Sequence, residues 1–134
     1  MAATEARAAP RAPQRTPFGM CVILSGKAIS APAAVQRAMK EAAARRWSEA
    51  AAAYLEAAQA YQAMSSATEA ELLEINRLIL YTNAALAWLN HGQIEAARTV
   101  LLDAAKLNPA LAEQLRKGAD RLPAPPHCTR ERDL

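Results

Sequence analysis

Histidine and cysteine are the side chains most often recruited for metal binding and nucleophilic chemistry, and this chain of 134 residues holds two of each: His91, His127, Cys21 and Cys128. His127 and Cys128 adjoin, so an imidazole lies beside a thiol, but both sit in a proline-rich tail with no third ligand near. Cys21 and Cys128 lie near opposite ends and follow neither metal nor redox spacing. The chain therefore does not read as a disulfide scaffold, and a reducing compartment, the cytoplasm, is expected. His91 abuts Gly92, where an imidazole interacts with the carbonyls of a helix end. No glycine-rich phosphate loop, zinc spacing or nucleophile elbow occurs in the sequence. No catalytic residue, cofactor site or metal site is expected, and the chain is expected not to be an enzyme.

What remains is non-covalent chemistry, and Asn83 is its most informative residue. It lies in the run from Leu78 to Leu89, which is apolar almost all round. An amide there must find hydrogen-bond partners or cost ~1 to 3 kcal/mol. Two partners are open to it: a neighbouring helix, or the backbone of a bound peptide. Tyr81 and Trp88 have the spacing of core anchors.

The elements that must position these residues are helices. Hydrophobic residues make up 52% of the chain but aromatic ones only 4%, and alanine supplies the difference. Alanine has the highest helix propensity because it loses no side-chain entropy and crowds no neighbouring turn. The length suits one domain. Net charge is +3, with an excess of arginine and lysine in the first third. That excess fits a solvated leader, and no aromatic residues interleave with the arginines as single-strand stacking requires, so no nucleic-acid partner is expected. No segment is long and apolar enough to span a bilayer.

Residues 1–17 alternate Ala, Arg and Pro and are expected to be disordered. Within the leader, 1–29, the run from Phe18 to Ile29 suits an extended stretch or short strand packed on the helices, with nothing later in the chain rich enough in β-branched residues to pair with it. The arginine-bearing leader also has a weak likeness to a secretory signal or a transit peptide, which gives secretion or organelle import as alternatives to the cytoplasm. A helical domain follows over 30–122. Ser30 and Pro32 open a first helix that ends near Arg45, and Trp47 and Ser48 open a second, with Glu49 in its first turn. The tight turn between them makes the pair antiparallel. Thr68 and Glu71 have the spacing of a capping box for a long third helix ending near Asn90, roughly 33 Å long. Gly92 marks its C-terminus, and Ile94, Ala97, Leu101 and Ala104 stripe a fourth helix. Asn108 and Pro109 cap and begin a fifth, with a surface Glu113 to Lys117 pair. Residues 123–134 form a proline-rich tail expected to be disordered.

The run from Tyr81 through Trp88, Gly92 and Ala97 to Leu101, Ala104 and the closing Asn108-Pro109 resembles a tetratricopeptide repeat. Trp47-Ser48-Glu49-Ala50 with Tyr54 and Ala57 resembles the second helix of a more degenerate repeat. Trp47, Tyr54 and the paired alanines are also similar to the helical adaptors of membrane fusion. The tetratricopeptide resemblance implies an all-α fold of antiparallel helix hairpins, stacked as a short right-handed solenoid of about five helices. It further implies a concave groove that receives a peptide or an amphipathic helix, lined by Val35, Met39 and Ala42 from the first helix and by Ile79, Thr82, Asn83, Leu86, Leu89 and Asn90 from the third.

One branch of that family clamps the carboxylate ends of heat-shock chaperones with lysine, arginine and asparagine. Asn83 matches one clamp position and Lys117 another, whereas Val35, Met39 and Glu113 stand where polar or basic residues are expected. The leading expectation is thus an adaptor for another protein, with a homodimer as a second way to cover an uncovered apolar face. The alternatives are a dedicated chaperone or secretion partner for one client helix, and a co-chaperone with a degenerate clamp. If the groove is the binding face, Met39→Glu together with Leu86→Glu is expected to abolish partner capture.

Overall fold

The computed structural model describes residues 19–21, 33–63 and 70–126. Within them the chain is all-α: α1 (Ala33–Ala43), α2 (Trp47–Ala63), α3 (Ala70–Asn90), α4 (Ile94–Leu107), a 3-10 turn at Pro109–Leu111, and α5 (Ala112–Arg121). The expectations at Ser30, Pro32 and the Thr68 to Glu71 capping box, and those for 1–18 and 127–134, lie outside the described residues.

Two hairpins are closed by the same device. At the end of α1, Arg45 N–H donates to Ala42 O at 2.9 Å and Arg46 N–H to Glu41 O at 2.8 Å. At the end of α3, Gly92 N–H donates to Leu89 O at 3.0 Å and Gln93 N–H to Trp88 O at 2.8 Å. Both are Schellman caps, in which a left-handed residue lets the chain reverse and satisfies the last carbonyls of the helix. Gly92 takes that conformation at φ 81° without steric cost, and Arg45 takes it at φ 62° despite its Cβ. The two capping residues lie 47 positions apart, and the same offset relates Ala38 to Ala85, Ala50 to Ala97 and Ala57 to Ala104. All six of these alanines are buried.

Small residues set the helix separation. Ala38, Ala50, Ala51, Ala57, Ala58, Ala84, Ala85, Ala87 and Ala97 have no exposed surface at all. An alanine at a contact lets two helix backbones approach to the short end of the usual 8–10 Å range. Larger side chains, chiefly Tyr54, Tyr61, Ile79, Leu80, Leu101 and Leu115, fill the space between. Each helix packs chiefly on its neighbours in sequence, α1 on α2, α2 on α3, α3 on α4 and α4 on α5. Helix α3 is the central one, buried from Leu78 through Ala87, as its all-round apolar sequence requires.

Surface charges follow the helix faces. The Glu113 to Lys117 pair forms at 3.4 Å, and Arg37 of α1 reaches Glu56 of α2 across the first hairpin. Exposed pairs of this kind contribute little, ~0 to 1 kcal/mol each. Glu49 in the first turn of α2 is held below the usual carboxylate range by its own backbone N–H, and secondarily by the Ser48 hydroxyl, which donates to it at 3.0 Å. Among the described residues no helix is long and apolar enough to cross a membrane.

Two local expectations are corrected. Asn108 does not cap the following turn with its side chain. Its Nδ2 instead donates back to Ala104 O at 2.8 Å and to the Tyr81 hydroxyl at 3.1 Å, because a buried amide gains more by satisfying both ends inside the core. Nor does the expectation of a chain without a disulfide framework hold at Cys21, which is disulfide-bonded. In the tail, Pro126 is buried, just beyond the buried Leu122 that ends the helical domain.

Candidate functional site

Asn83 sits in the middle of α3 at 1% exposure, and neither of its anticipated partners is quite what it meets. Its Nδ2 donates to the carbonyl of Cys21 at 2.8 Å, and its Oδ1 accepts the N–H of the same residue. One amide therefore satisfies both backbone groups of one residue. The contact involves no side chain of residue 21. It is the geometry of a bound peptide, made with a segment of the same chain. Met20 and Cys21 are buried at 2% and 4%, and Cys21 takes part in an isolated β-bridge, so this piece of the Phe18 to Ile29 run is extended and packed on the helices.

The residues expected to line a groove divide accordingly. Val35, Ala42, Ile79 and Leu86 are buried in one continuous core with Met20 and Cys21, and Thr82 and Asn83 are buried as well. Leu89 is half-buried, Asn90 exposed, and Met39 exposed at 52%. Helices α1 and α3 are not among the main packing pairs, so the two rows of residues are joined largely through α2. Leu86→Glu would thus place a carboxylate inside the core, and loss of capture by that variant would report unfolding as well as binding.

An open apolar cleft lies elsewhere, between α2 and α4, with α3 as its floor. Its volume is about 530 Å³, and it is lined by Leu55, Gln59 and Gln62 of α2, Tyr81 and Trp88 of α3, and Ala96, Thr99, Val100, Asp103, Ala104 and Leu107 of α4. Leu55, Gln59 and Gln62 recur at i, i+4 and i+7, so they share one face of α2. Leu107 is 64% exposed, and Leu102 and Ile94 on the same helix also reach solvent. Trp88 forms a half-buried wall, its ring 5.9 Å from that of His91 at a 57° tilt. His91 meets the helix end through its backbone, donating to Ala87 O and Trp88 O.

A polar chain fixes one end of the cleft. Arg77 Nε donates to Asn108 Oδ1 at 3.1 Å, Asn108 Nδ2 to the Tyr81 hydroxyl at 3.1 Å, and that hydroxyl to Gln62 Oε1 at 3.2 Å. It ties α2, α3 and the α4 terminus together and holds the Tyr81 ring against the cleft floor. Of the cleft residues, Tyr81, Trp88 and Ala104 were singled out from the sequence, but as core and stripe positions rather than as a site. A signal existed in the leucines and valine that fall off the main stripes, Leu55 on α2 and Val100 and Leu107 on α4. Among the described residues no group of histidine, cysteine and acidic side chains could hold a metal ion.

With this geometry in hand, comparison with known proteins finds no family model, no curated protein and no solved structure that matches the chain.

Proposed function

We propose that the chain is a non-catalytic interaction module, an adaptor that takes a short amphipathic helix of another protein into the α2–α4 cleft. The observation that carries this reading is the cleft itself: an apolar trough of about 530 Å³ between two helices, walled by Trp88, Leu55, Val100 and the exposed Leu107. Two parallel ridges with an apolar floor are what a helix lays its apolar face into. From Ala96 to Leu107 the trough runs about 17 Å, room for roughly three turns of guest helix. The polar edge of Gln59, Gln62, Thr99 and Asp103 would face the rim of the guest.

A tetratricopeptide-like ancestry remains part of this proposal. It is supported by two hairpins with identical caps, small residues at matched positions and the closing Asn108-Pro109. The 47-residue offset between the hairpins is longer than the family's ~34-residue period.

The test is affinity purification of the full chain beside Leu55→Glu with Leu107→Glu. Both positions have solvent access, so helix content by circular dichroism is expected to stay unchanged while capture is lost. Unchanged capture by a folded double variant would rule the cleft out. A dedicated chaperone differs in stoichiometry: it co-purifies one to one with a single client and melts higher with it. Light scattering separates both from a homodimer, which would bury the same cleft.

A further inference from the structure

Residue 21 is engaged by two fastenings of different chemistry. One is the Asn83 amide, which binds only main-chain atoms and so would accept any residue in an extended conformation. The other is covalent, the disulfide at Cys21. The sequence offers one other cysteine, Cys128, which lies outside the described residues. A second asparagine, Asn76, lies two turns before Asn83 on the same side of α3, at 1% exposure, with neither its Nδ2 nor its Oδ1 hydrogen-bonded. A strand-binding amide next to a second amide with unused capacity is a face built to hold main chain.

We propose that the Asn76–Asn83 face of α3 is a binding site for an extended peptide segment, that residues 19–21 are its resident ligand, and that the Cys21 disulfide latches them there. Reduction by a dithiol opens the latch. The dithiol gives two electrons and two protons to the disulfide, leaves as a cyclic disulfide, and converts both cysteines to thiols. With the covalent latch open, the strand exchanges with an extended segment of a partner. Because the amide reads backbone, the partner is defined by conformation and by an apolar residue at the Met20 position, which the core encloses at 2% exposure. This site is separate from the α2–α4 cleft, and its failure would leave the cleft reading intact.

The experiment follows amide hydrogen exchange in the full chain, oxidised and after dithiothreitol. Reduction is expected to speed exchange at Met20 and Cys21 about tenfold or more, with α3 amides such as Leu80 unchanged. Cys128→Ser should show the same fast exchange without reductant. The tether holds the freed strand at an effective concentration of order mM, so the trans ligand is a synthetic peptide of residues 17–25, carrying Cys21→Ser and terminal lysines for solubility, at several millimolar. The reduced chain is expected to take it up and the oxidised chain to refuse it. In the reduced chain Asn83→Asp, which keeps an acceptor and loses the donor, should weaken uptake, and Asn83→Ser serves if that variant misfolds. Unchanged exchange on reduction would overturn the latch. Faster exchange spread through α3 would make the disulfide a mere structural staple, and fast local exchange without peptide uptake would overturn the binding site.

Discussion

Arg45 shows how a single residue can be at odds with the turn it occupies. At φ 62° it stands where a Schellman cap favours glycine, and Gly92 fills the equivalent place in the second hairpin. Arg45→Gly is expected to stabilise the chain by about 1 kcal/mol, read as a shift of the urea midpoint at constant slope. Gly92→Ala is expected to cost about the same or slightly more, purely through the backbone, since an added Cβ there would meet nothing within 4 Å. Asn76 presents the opposite case, a side chain whose polar atoms have lost water and gained nothing. Asn76→Leu, close in volume, should raise stability by roughly 1 to 2 kcal/mol in the same measurement. Tyr54 carries a pH dependence. Burial pushes its phenol up to about 12, against about 10 when unfolded, and Tyr61 is raised by the same cause. Below about pH 10 the phenol is protonated in both states and its contribution is complete. Between about 10 and 12 only the unfolded chain ionises, so stability falls as pH rises. Tyr54→Phe should flatten that decline in melting temperature, and an unchanged alkaline limb would show that another group governs it.

At the scale of elements, close approach through alanine is what makes two hairpins from a sequence poor in aromatics. Ala50, Ala51, Ala57 and Ala58 leave no free space on the buried faces of α2. Ala57→Leu is expected to destabilise by about 1 to 3 kcal/mol through overpacking, whereas Ala52→Leu, on the exposed face, should be within about 0.5 kcal/mol of the parent. Equal effects of the two in thermal denaturation would contradict the packing described here. The period-3.6 stripes made the five helices of the described residues legible, and the glycine at position 92 marked one turn openly. The other turn was legible only as the gap between the end of one stripe near Arg45 and the opening of the next at Trp47, because the left-handed residue there is an arginine. Asn108 was read correctly as a boundary and wrongly as a cap. Its side chain turns back to Tyr81 and Ala104, a choice set by which buried groups needed partners.

For the whole molecule, the decisive feature is that residues 19–21 pack on the central helix at Asn83. Most of the apolar residues that the sequence pointed to as a groove are buried, and an open trough lies between α2 and α4. Leu86 and Val35 were identified as large apolar residues on a shared face, which they are, but a face does not announce whether solvent, a partner or its own chain covers it. The cleft variant Leu55→Glu with Leu107→Glu belongs to this scale. It should leave melting temperature nearly unchanged in the isolated chain and remove the increase in melting temperature that a bound partner confers. An increase that survives in the double variant would place the partner on another surface.

From the residues in order, helix content, hairpin pairing, the central position of α3 and the special standing of Asn83 were all determined, because each depends on local propensity or on periodicity within about twenty residues. Only the tertiary structure decided that Asn83 holds the backbone of Cys21, 62 positions away, and that Cys21 is bonded rather than free. Such contacts join segments whose separation in sequence carries no information about their distance in space. They arise where a buried amide and an extended strand each have unsatisfied groups, and that complementarity exists only after the helices have packed.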